Sequence, residues 1–224
     1  MQFLAILGLF VVSYLLGAIP FGLVFVRLIT GKDIRKIESG RTGGTNVMRA
    51  AGFPAGLATA ILDVLKSAVT VWIARFLIEK AIIPNNAWLE VIPPVLAVFG
   101  HNYSIFLSER SNKWGIRLRG GAGGASAGGG ALGLWAPAFL IVLPVGVILL
   151  FGVGYASLAT MSVGFVCVII FGIRAWMGLS PWQYIFYGVF VEILLVWALR
   201  PNIKRLIKGE ERVVGWRARK MKTN

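Results

Sequence analysis

Between Gly120 and Ile173 the chain contains no aspartate, glutamate, lysine or arginine. This run of 54 residues is far longer than the roughly 20 apolar residues that cross a bilayer as a helix. It therefore predicts at least two membrane-spanning segments, in a chain that is 57% hydrophobic and 14% charged. Backbone groups in lipid must bond within the chain, and no strand-like alternation is visible. We therefore expect an all-α transmembrane helical bundle.

The distribution of basic residues predicts the orientation of this bundle. Lysine and arginine cluster in three segments, which are 27–49, 108–119 and the tail from Arg200. Such segments remain in the cytoplasm. If Pro137 and Pro144 divide the uncharged run into three pieces, about seven spans, an outside N-terminus and a cytoplasmic C-terminus satisfy this rule. The predicted spans are 3–26, 53–78, 86–107, 123–135, 137–153, 156–173 and 180–199.

Composition excludes several classes of function. The net charge of +14 does not indicate nucleic-acid binding, because the basic residues flank the predicted spans, where topology and anionic lipid headgroups account for them. Cys167 is the only cysteine, so no disulfide can form within the chain. No metal-ligand cluster or Walker loop is present, and we expect neither a metal nor a cofactor. Residues 1–224 are interpreted as one membrane domain, whose oligomeric state the sequence does not specify.

The most informative polar segment is the loop Ser39-Gly40-Arg41-Thr42-Gly43-Gly44-Thr45-Asn46-Val47-Met48-Arg49, between two predicted spans. Glycines let the backbone approach a ligand closely, and hydroxyl, amide and guanidinium groups are donors suited to phosphate oxygens. A simpler interpretation is a helix start capped by Thr45 or Asn46. Both can hold, because a helix N-terminus itself attracts anions. We predict a phosphate site in this loop.

A second glycine-rich segment runs from Arg119 to Gly130. Consecutive glycines can form a backbone nest for phosphate, or they can let helices pack closely, and the sequence leaves both interpretations open. In the predicted topology this segment, the first loop, the turn near 154–157 and the tail share the cytoplasmic face. That convergence is the main reason to expect a single site.

Polar residues within the predicted spans have structural as well as functional interpretations. Asp63 and Lys66 lie three residues apart on one helix face, which favours an internal ion pair. His101, the only histidine, is either a general base or a structural hydrogen-bonding group. Glu192 needs a partner, for which Lys66 is one option. Ser157 either belongs to the site or caps a helix.

These motifs, in this order, resemble those of bacterial integral-membrane glycerol-3-phosphate acyltransferases that use acyl phosphate as the acyl donor. The resemblance runs from Ser13 to about Glu211. The loop from Ser39 to Arg49 is similar to the family's Gly-Ser-Gly-Asn-x-Gly-Ala-Thr-Asn-x-x-Arg pattern. The other matching segments are Ser13–Gly22, Asp63-x-x-Lys66, Gly100-His101-Asn102-Tyr103, Tyr155-Ala156-Ser157-Leu158 and Asn202-Ile203-Lys204-Arg205-Leu206-x-x-Gly209.

The resemblance implies transfer of an acyl group from acyl phosphate to the 1-hydroxyl of glycerol 3-phosphate, on the cytoplasmic face of the cell membrane. The product is lysophosphatidic acid, a precursor of phospholipids. Because acyl phosphate is already activated, the site mainly has to hold two anions with the hydroxyl against the carbonyl. The implied catalytic residues are Ser39, Arg49, Ser157 and Asn202. The implied phosphate-binding residues are Gly40, Arg41, Gly43, Thr45, Asn46, His101, Arg119, Gly120, Gly121 and Gly123.

The chain departs from the family pattern at four positions. Glu38 and Arg41 replace a glycine and an asparagine around the first serine. Ala122 replaces a lysine of the glycine loop, and Leu199 replaces a histidine of the last span. Three arginines can supply the missing positive charge, namely Arg41, Arg117 and Arg119. We favour Arg119, because it adjoins the glycines.

Two other functions are considered beside the enzyme. A small transporter or lipid flippase is expected to show repeat symmetry, and no repeat is visible. A non-catalytic paralogue that binds lipid phosphate is consistent with the loss of the lysine and the histidine.

Overall fold

The computed structural model describes residues 1–111 and 115–214, and over these residues the protein is mostly helical. The helices are α1 (Gln2–Ala18), α2 (Phe21–Thr30), α3 (Gly44–Ala51), α4 (Phe53–Glu79), α5 (Trp88–Asn102), α6 (Gly124–Leu134), α7 (Ala136–Ile148), α8 (Ala156–Trp176) and α9 (Gln183–Ile207). A π-helical turn, Leu149–Val153, extends α7. Strands β1 (Ser108–Ser111) and β2 (Gly115–Leu118) pair antiparallel.

Within the described residues, five helical segments are long and apolar enough to cross a membrane. They are Gln2–Thr30, Phe53–Glu79, Ala136–Val153, Ala156–Trp176 and Gln183–Ile207. The predicted helical membrane bundle is therefore confirmed. The span predicted at 86–107 is a helix of 15 residues, α5, and the one predicted at 123–135 is α6, with 11 residues. Both are shorter than a full crossing normally requires.

The first predicted span, 3–26, is broken into two helices. Helix α1 ends at Ala18 and α2 begins at Phe21, with Pro20 between them. Proline has no N–H group with which to continue a helix, and its ring disfavours helical geometry in the residue before it. After this break, α2 leads into the loop before α3.

The glycines of α6 serve close helix packing. A side chain at Gly129 would collide with the backbone of Val64 on α4, and one at Gly130 would collide with the ring of Tyr187 on α9. The Tyr187 hydroxyl donates to the carbonyl of Ala127 at 2.5 Å. Small residues let helices approach in this way in membranes. Of the two interpretations of the glycine-rich segment, close packing therefore holds for α6.

Four connecting segments meet at one end of the bundle. Arg119 donates through Nη2 to the Ser39 carbonyl at 2.6 Å. Arg212 donates through Nη1 to Glu38 Oε2 at 2.5 Å. The Val214 N–H donates to the carbonyl of Gly154 at 2.8 Å. The first loop, the glycine segment, the turn after α7 and the residues after α9 therefore lie together, as the sequence predicted.

Candidate active site

A cavity of about 330 Å³ lies where these four segments meet. One part of its wall is apolar and comes from Phe53 and Leu57 of α4, together with Val147, Leu150 and Phe151 at the end of α7. The remaining wall is polar and carries both glycine-rich segments and the end of α9. An apolar groove beside a polar wall suits a ligand that has both an acyl chain and a charged head.

The cavity brings together ten of the fourteen predicted site residues. These are Ser39, Arg41, Gly43, Thr45, Asn46, Arg49, His101, Gly123, Ser157 and Asn202. The other four, Gly40, Arg119, Gly120 and Gly121, do not line it. Residues 112–114 and 215–224 lie outside the described part of the chain.

The loop before α3 is held in place by Asn46. Its Nδ2 donates to the carbonyls of Ile37 at 3.1 Å and Arg41 at 2.8 Å. The helix itself begins after Gly43, with no side chain capping it. The predicted cap by Thr45 or Asn46 is therefore wrong, because the amide of Asn46 turns back to the loop carbonyls. The result is a fixed loop that presents Ser39 and Arg41 to the cavity.

The predicted backbone nest at Gly120 and Gly121 is also wrong. The N–H of Gly120 donates to the carbonyl of Asn102 at 2.9 Å, and that of Gly121 donates to the carbonyl of His101 at 3.0 Å. These donors are therefore not free for a phosphate. A side chain at Gly121 would collide with the His101 ring, so the glycines bring this segment tightly against the end of α5. Gly123, with φ +95°, lies on the cavity wall immediately before α6.

Four arginines line the cavity, and two of them are paired with carboxylates. Arg205 Nε lies 3.1 Å from Glu211 Oε2, and Arg212 pairs with Glu38. Arg41 instead donates to two backbone carbonyls, and Arg49 makes no hydrogen bond or ion pair within the described residues.

Burial and neighbouring charge both act on Arg41 and Arg49. Burial lowers the pKa of Arg41 to about 10, and the positive charges of Arg119 and Arg205 act in the same direction. Burial also lowers the pKa of Arg49. Both side chains still carry their positive charge at neutral pH, since arginine starts from a very high pKa. An anion in the cavity would relieve this unfavourable environment.

Arg119, the favoured replacement for the missing lysine, does not line the cavity itself. Its guanidinium contacts the Ser39 carbonyl, and the side chain lies in neighbouring polar clefts together with Gly40. One of these clefts also contains Ser39, Arg41 and Asn202 of the cavity wall. The replacement of the missing lysine by Arg119 stays a prediction, and the contact with the Ser39 carbonyl fixes the backbone of the first loop.

The polar residues of α4 and α5 form a buried cluster, and two of them, Asp63 and His101, also line the cavity. Lys66 Nζ lies 2.8 Å from Asp63 Oδ1 and 2.8 Å from His101 Nδ1. The predicted internal ion pair is confirmed, and His101 is its hydrogen-bonding neighbour. Lys66 is therefore not the partner of Glu192, whose carboxylate lies against Gly164 of α8. That suggestion was wrong, because the two residues belong to separate parts of the helix packing.

Ser157 and Asn202 both line the cavity, but they differ in their hydrogen bonding. The Ser157 hydroxyl is buried and has no hydrogen-bond partner within the described residues. The Asn202 side chain donates to Glu211 Oε1 at 2.9 Å, and Glu211 is only 8% exposed. Sequence reasoning missed Glu211, which orients Asn202 and Arg205 together. It also missed the apolar wall at 147–151. The residues there are of the same apolar types as those of any membrane-spanning helix, so no sequence signal marks them.

Comparison with known proteins shows the family of this chain. A family model, glycerol-3-phosphate acyltransferase, matches residues 7–209. A glycerol-3-phosphate acyltransferase of Thermus thermophilus is 36% identical over 207 residues, which is 92% of this chain and 94% of that protein. One from Staphylococcus haemolyticus is 34% identical and covers 94% of this chain and 98% of its own.

Solved structures agree as well. The crystal structure of PlsY (YgiH), an integral membrane glycerol 3-phosphate acyltransferase, in its glycerol 3-phosphate form has a TM-score of 0.75 and 30% identity. Its lysophosphatidic acid form has a TM-score of 0.72 and 28% identity. Each match covers 94% of this chain and 96% of the other. The family that the motifs indicated is therefore confirmed, and this chain belongs to the glycerol-3-phosphate acyltransferase family.

Proposed function

We propose that this protein transfers an acyl group from an acyl phosphate to the 1-hydroxyl of glycerol 3-phosphate. The products are lysophosphatidic acid and inorganic phosphate. The observation that carries the proposal is the pair Arg41 and Arg49, two arginines without a carboxylate partner in the described residues, which line one cavity beside an apolar groove. Glycerol 3-phosphate and lysophosphatidic acid name the two forms of the similar PlsY structure.

The transfer needs no covalent enzyme intermediate. The hydroxyl oxygen of glycerol 3-phosphate attacks the acyl carbonyl carbon, and a new C–O ester bond forms. The bond from that carbon to the phosphate oxygen breaks, and phosphate leaves. Leu199 and Ala122 offer no base, Asp63 and His101 are engaged with Lys66, and Glu211 is engaged with Asn202 and Arg205. We therefore assign the hydroxyl proton to a phosphate oxygen. Catalysis then consists of holding two anions in a reactive geometry.

The site residues have separate parts in this proposal. Arg49 binds a phosphate bidentately, and Ser39 and Thr45 donate hydroxyl hydrogen bonds to the same group. Ser157 and Asn202 line the same cavity and position the reacting groups. Gly43 and Gly123 keep the wall close to the ligand, whereas Gly40, Gly120, Gly121 and Arg119 support the loops from behind. Asn46 and His101 support the wall through contacts with neighbouring groups.

For the fold we propose one acyltransferase domain over residues 1–224 with seven spans, an outside N-terminus and a cytoplasmic active site in the cell membrane. The four connecting segments contact one another and so lie on one side of the membrane. This supports an even number of membrane crossings between each segment and the next one along the chain. Labelling of Lys208→Cys in a Cys167→Ala background tests this. We expect no reaction with an impermeant reagent outside intact cells, whereas Asn85→Cys should react. Outside labelling at position 208 would overturn the topology.

The function is tested with purified protein in detergent, radiolabelled glycerol 3-phosphate and a long-chain acyl phosphate. We expect labelled lysophosphatidic acid and one inorganic phosphate for each ester formed. The acyl thioester of the same chain serves as the alternative donor. Binding of glycerol 3-phosphate without product from either donor would instead support the non-catalytic paralogue.

A further inference from the structure

The side-chain amide of Asn46 is hydrogen-bonded at only one of its two ends. Its Nδ2 donates to the carbonyls of Ile37 at 3.1 Å and Arg41 at 2.8 Å. Reversing the amide would place its oxygen against two carbonyl oxygens, so this orientation is fixed. Asn46 is only 4% exposed, and its Oδ1 is buried without a hydrogen-bond partner within the described residues. A buried acceptor without a donor is unfavourable, which indicates that a ligand supplies the donor.

The polarity of Asn46 Oδ1 excludes an ionised phosphate as its partner. Asn46 lines the cavity, but the loop carbonyls use both hydrogens of its amide. What remains is an oxygen that can only accept, and an ionised phosphate also offers only acceptors. Asn46, to which the resemblance gave a part in phosphate binding, is therefore suited to a ligand group that carries an O–H or N–H.

The position of Asn46 indicates which part of the ligand it meets. Asn46 and Arg49 lie three residues apart on α3, so their side chains share one face of the helix, and both line the cavity. In the proposed function Arg49 binds a phosphate. A donor that lies close to this phosphate in the same molecule is therefore within reach of Asn46. In glycerol 3-phosphate, the carbon next to the phosphate ester carbon carries the secondary hydroxyl.

Two other buried polar atoms of cavity-lining residues have no partner within the described part of the chain, and they suit other tasks. The Ser157 hydroxyl can donate to a phosphate. Asp63 Oδ2 is an acceptor, but it belongs to a carboxylate that is paired through Oδ1 with Lys66 at 2.8 Å. A carboxylate can also remove a proton, whereas an amide oxygen accepts a hydrogen bond without doing so. Asn46 therefore suits a hydroxyl that is held and does not react.

We infer that Asn46 Oδ1 accepts a hydrogen bond from the secondary hydroxyl of glycerol 3-phosphate and thereby determines which alcohol is acylated. This inference rests on the proposed function, in which glycerol 3-phosphate is the acceptor substrate. With the secondary hydroxyl held at Asn46, the primary hydroxyl is left to attack the acyl carbonyl. Asn46 is then a specificity-determining residue, and its part is separate from the binding of phosphate by the arginines.

The test compares glycerol 3-phosphate with 3-hydroxypropyl phosphate, which has the same primary hydroxyl and phosphate but no secondary hydroxyl. In the parent protein we expect kcat/KM to be at least about tenfold higher for glycerol 3-phosphate, because the analogue leaves Asn46 Oδ1 without a donor. Values of kcat/KM for the two alcohols that agree within twofold would overturn the inference.

Two variants separate the acceptor from the support of the loop. Asn46→Leu and Asn46→Asp both lose the donor to the carbonyls of Ile37 and Arg41, but only Asn46→Asp keeps an oxygen acceptor. The overall rate should fall in both. The preference for glycerol 3-phosphate should disappear in Asn46→Leu and persist in Asn46→Asp. The same preference in both variants would show that Asn46 acts only through the loop and would refute the inference.

Asp33→Ala is the control for a loosened loop. The Asp33 carboxylate accepts from Arg35 in the same loop, and Asp33 does not line the cavity. This variant should retain the preference of the parent for glycerol 3-phosphate. A loss of preference in Asp33→Ala would show that loop order alone produces the discrimination, and it would contradict the role of Asn46.

A measurement on the unaltered protein covers the case in which the Asn46 variants do not fold. Dihydroxyacetone phosphate has a carbonyl oxygen where glycerol 3-phosphate has the secondary hydroxyl, so it offers Asn46 Oδ1 no hydrogen. In isothermal titration without an acyl donor, it should bind no more tightly than 3-hydroxypropyl phosphate. Binding as tight as that of glycerol 3-phosphate would refute the inference.

The binding and transfer assays keep this inference apart from the proposed function. A protein that binds glycerol 3-phosphate in preference to both analogues but forms no lysophosphatidic acid contradicts the proposed function alone. A protein that acylates glycerol 3-phosphate and 3-hydroxypropyl phosphate equally well contradicts the inference alone.

Discussion

The molecule contains two groups of charged residues in opposite electrostatic situations. Asp63, Lys66 and His101 lie buried between α4 and α5, where Lys66 Nζ lies 2.8 Å from both Asp63 Oδ1 and His101 Nδ1. Arg41 and Arg49, on the cavity wall, have no such carboxylate partner among the residues that the structure describes. The first group contains its own ion pair, whereas neither arginine of the second forms an ion pair with a carboxylate in the described part of the chain. We therefore expect changes in the first to alter stability and changes in the second to alter binding and rate.

The largest effect is expected from breaking the buried pair. Asp63→Asn leaves Lys66 as an uncompensated buried cation, which typically costs about 3–5 kcal/mol. The double variant Asp63→Asn/Lys66→Met removes the charge as well and should recover much of this loss. Unfolding of detergent-solubilised protein by heat or denaturant measures both. A single variant as stable as the double would show that the pair is not coupled.

At the cavity, Arg49→Lys keeps the charge and changes only the geometry. We expect the ratio kcat/KM for glycerol 3-phosphate to fall about tenfold or more, about 1.4 kcal/mol, because a lysine cannot bind a phosphate bidentately. The unfolding midpoint should not move. Arg35→Lys, on a residue bonded to Asp33 and Glu109 outside the cavity, is the control. Activity of Arg49→Lys within twofold of the parent would remove Arg49 from the site.

A smaller effect is expected at Arg119. Its guanidinium contacts the Ser39 carbonyl, so Arg119→Ala should reduce the rate severalfold through a less ordered loop. Had Arg119 replaced the missing lysine, the same change would abolish transfer. Acyl transfer and phosphate binding are measured for both Arg119→Ala and Arg41→Asn. The comparison decides between the two roles of Arg119, because only Arg41→Asn should remove phosphate binding.

The smallest effect is expected at the exposed ion pair of Glu38 and Arg212. Both side chains are about half exposed, and such pairs contribute roughly 0–1 kcal/mol. Glu38→Gln should therefore shift the unfolding midpoint only slightly and leave the binding of both anions unchanged. A large loss of phosphate binding in this variant would show that the residues after α9 must be fastened for the cavity to form.

Much of the candidate site was predictable because residue type limits what a position can do. A run of uncharged residues dictates membrane helices, and glycine with hydroxyl and guanidinium groups indicates a phosphate site. Ten of the fourteen predicted site residues accordingly line one cavity. The misses at Gly120 and Gly121 have a different cause. Whether a backbone N–H is free depends on which carbonyl lies opposite, and here the end of α5 accepts both.

The sequence by itself determined the family, the helical membrane fold and the segments that form the site, since hydropathy and motif order are properties of the chain alone. Only the tertiary structure decided which arginine is available. Arg119 and Arg41 are alike in charge and in proximity to a glycine loop. One contacts the back of Ser39, and the other reaches the cavity between Gly121 and Ala198. That difference arises from how α5 and α9 pack against the loops, and no local pattern encodes it.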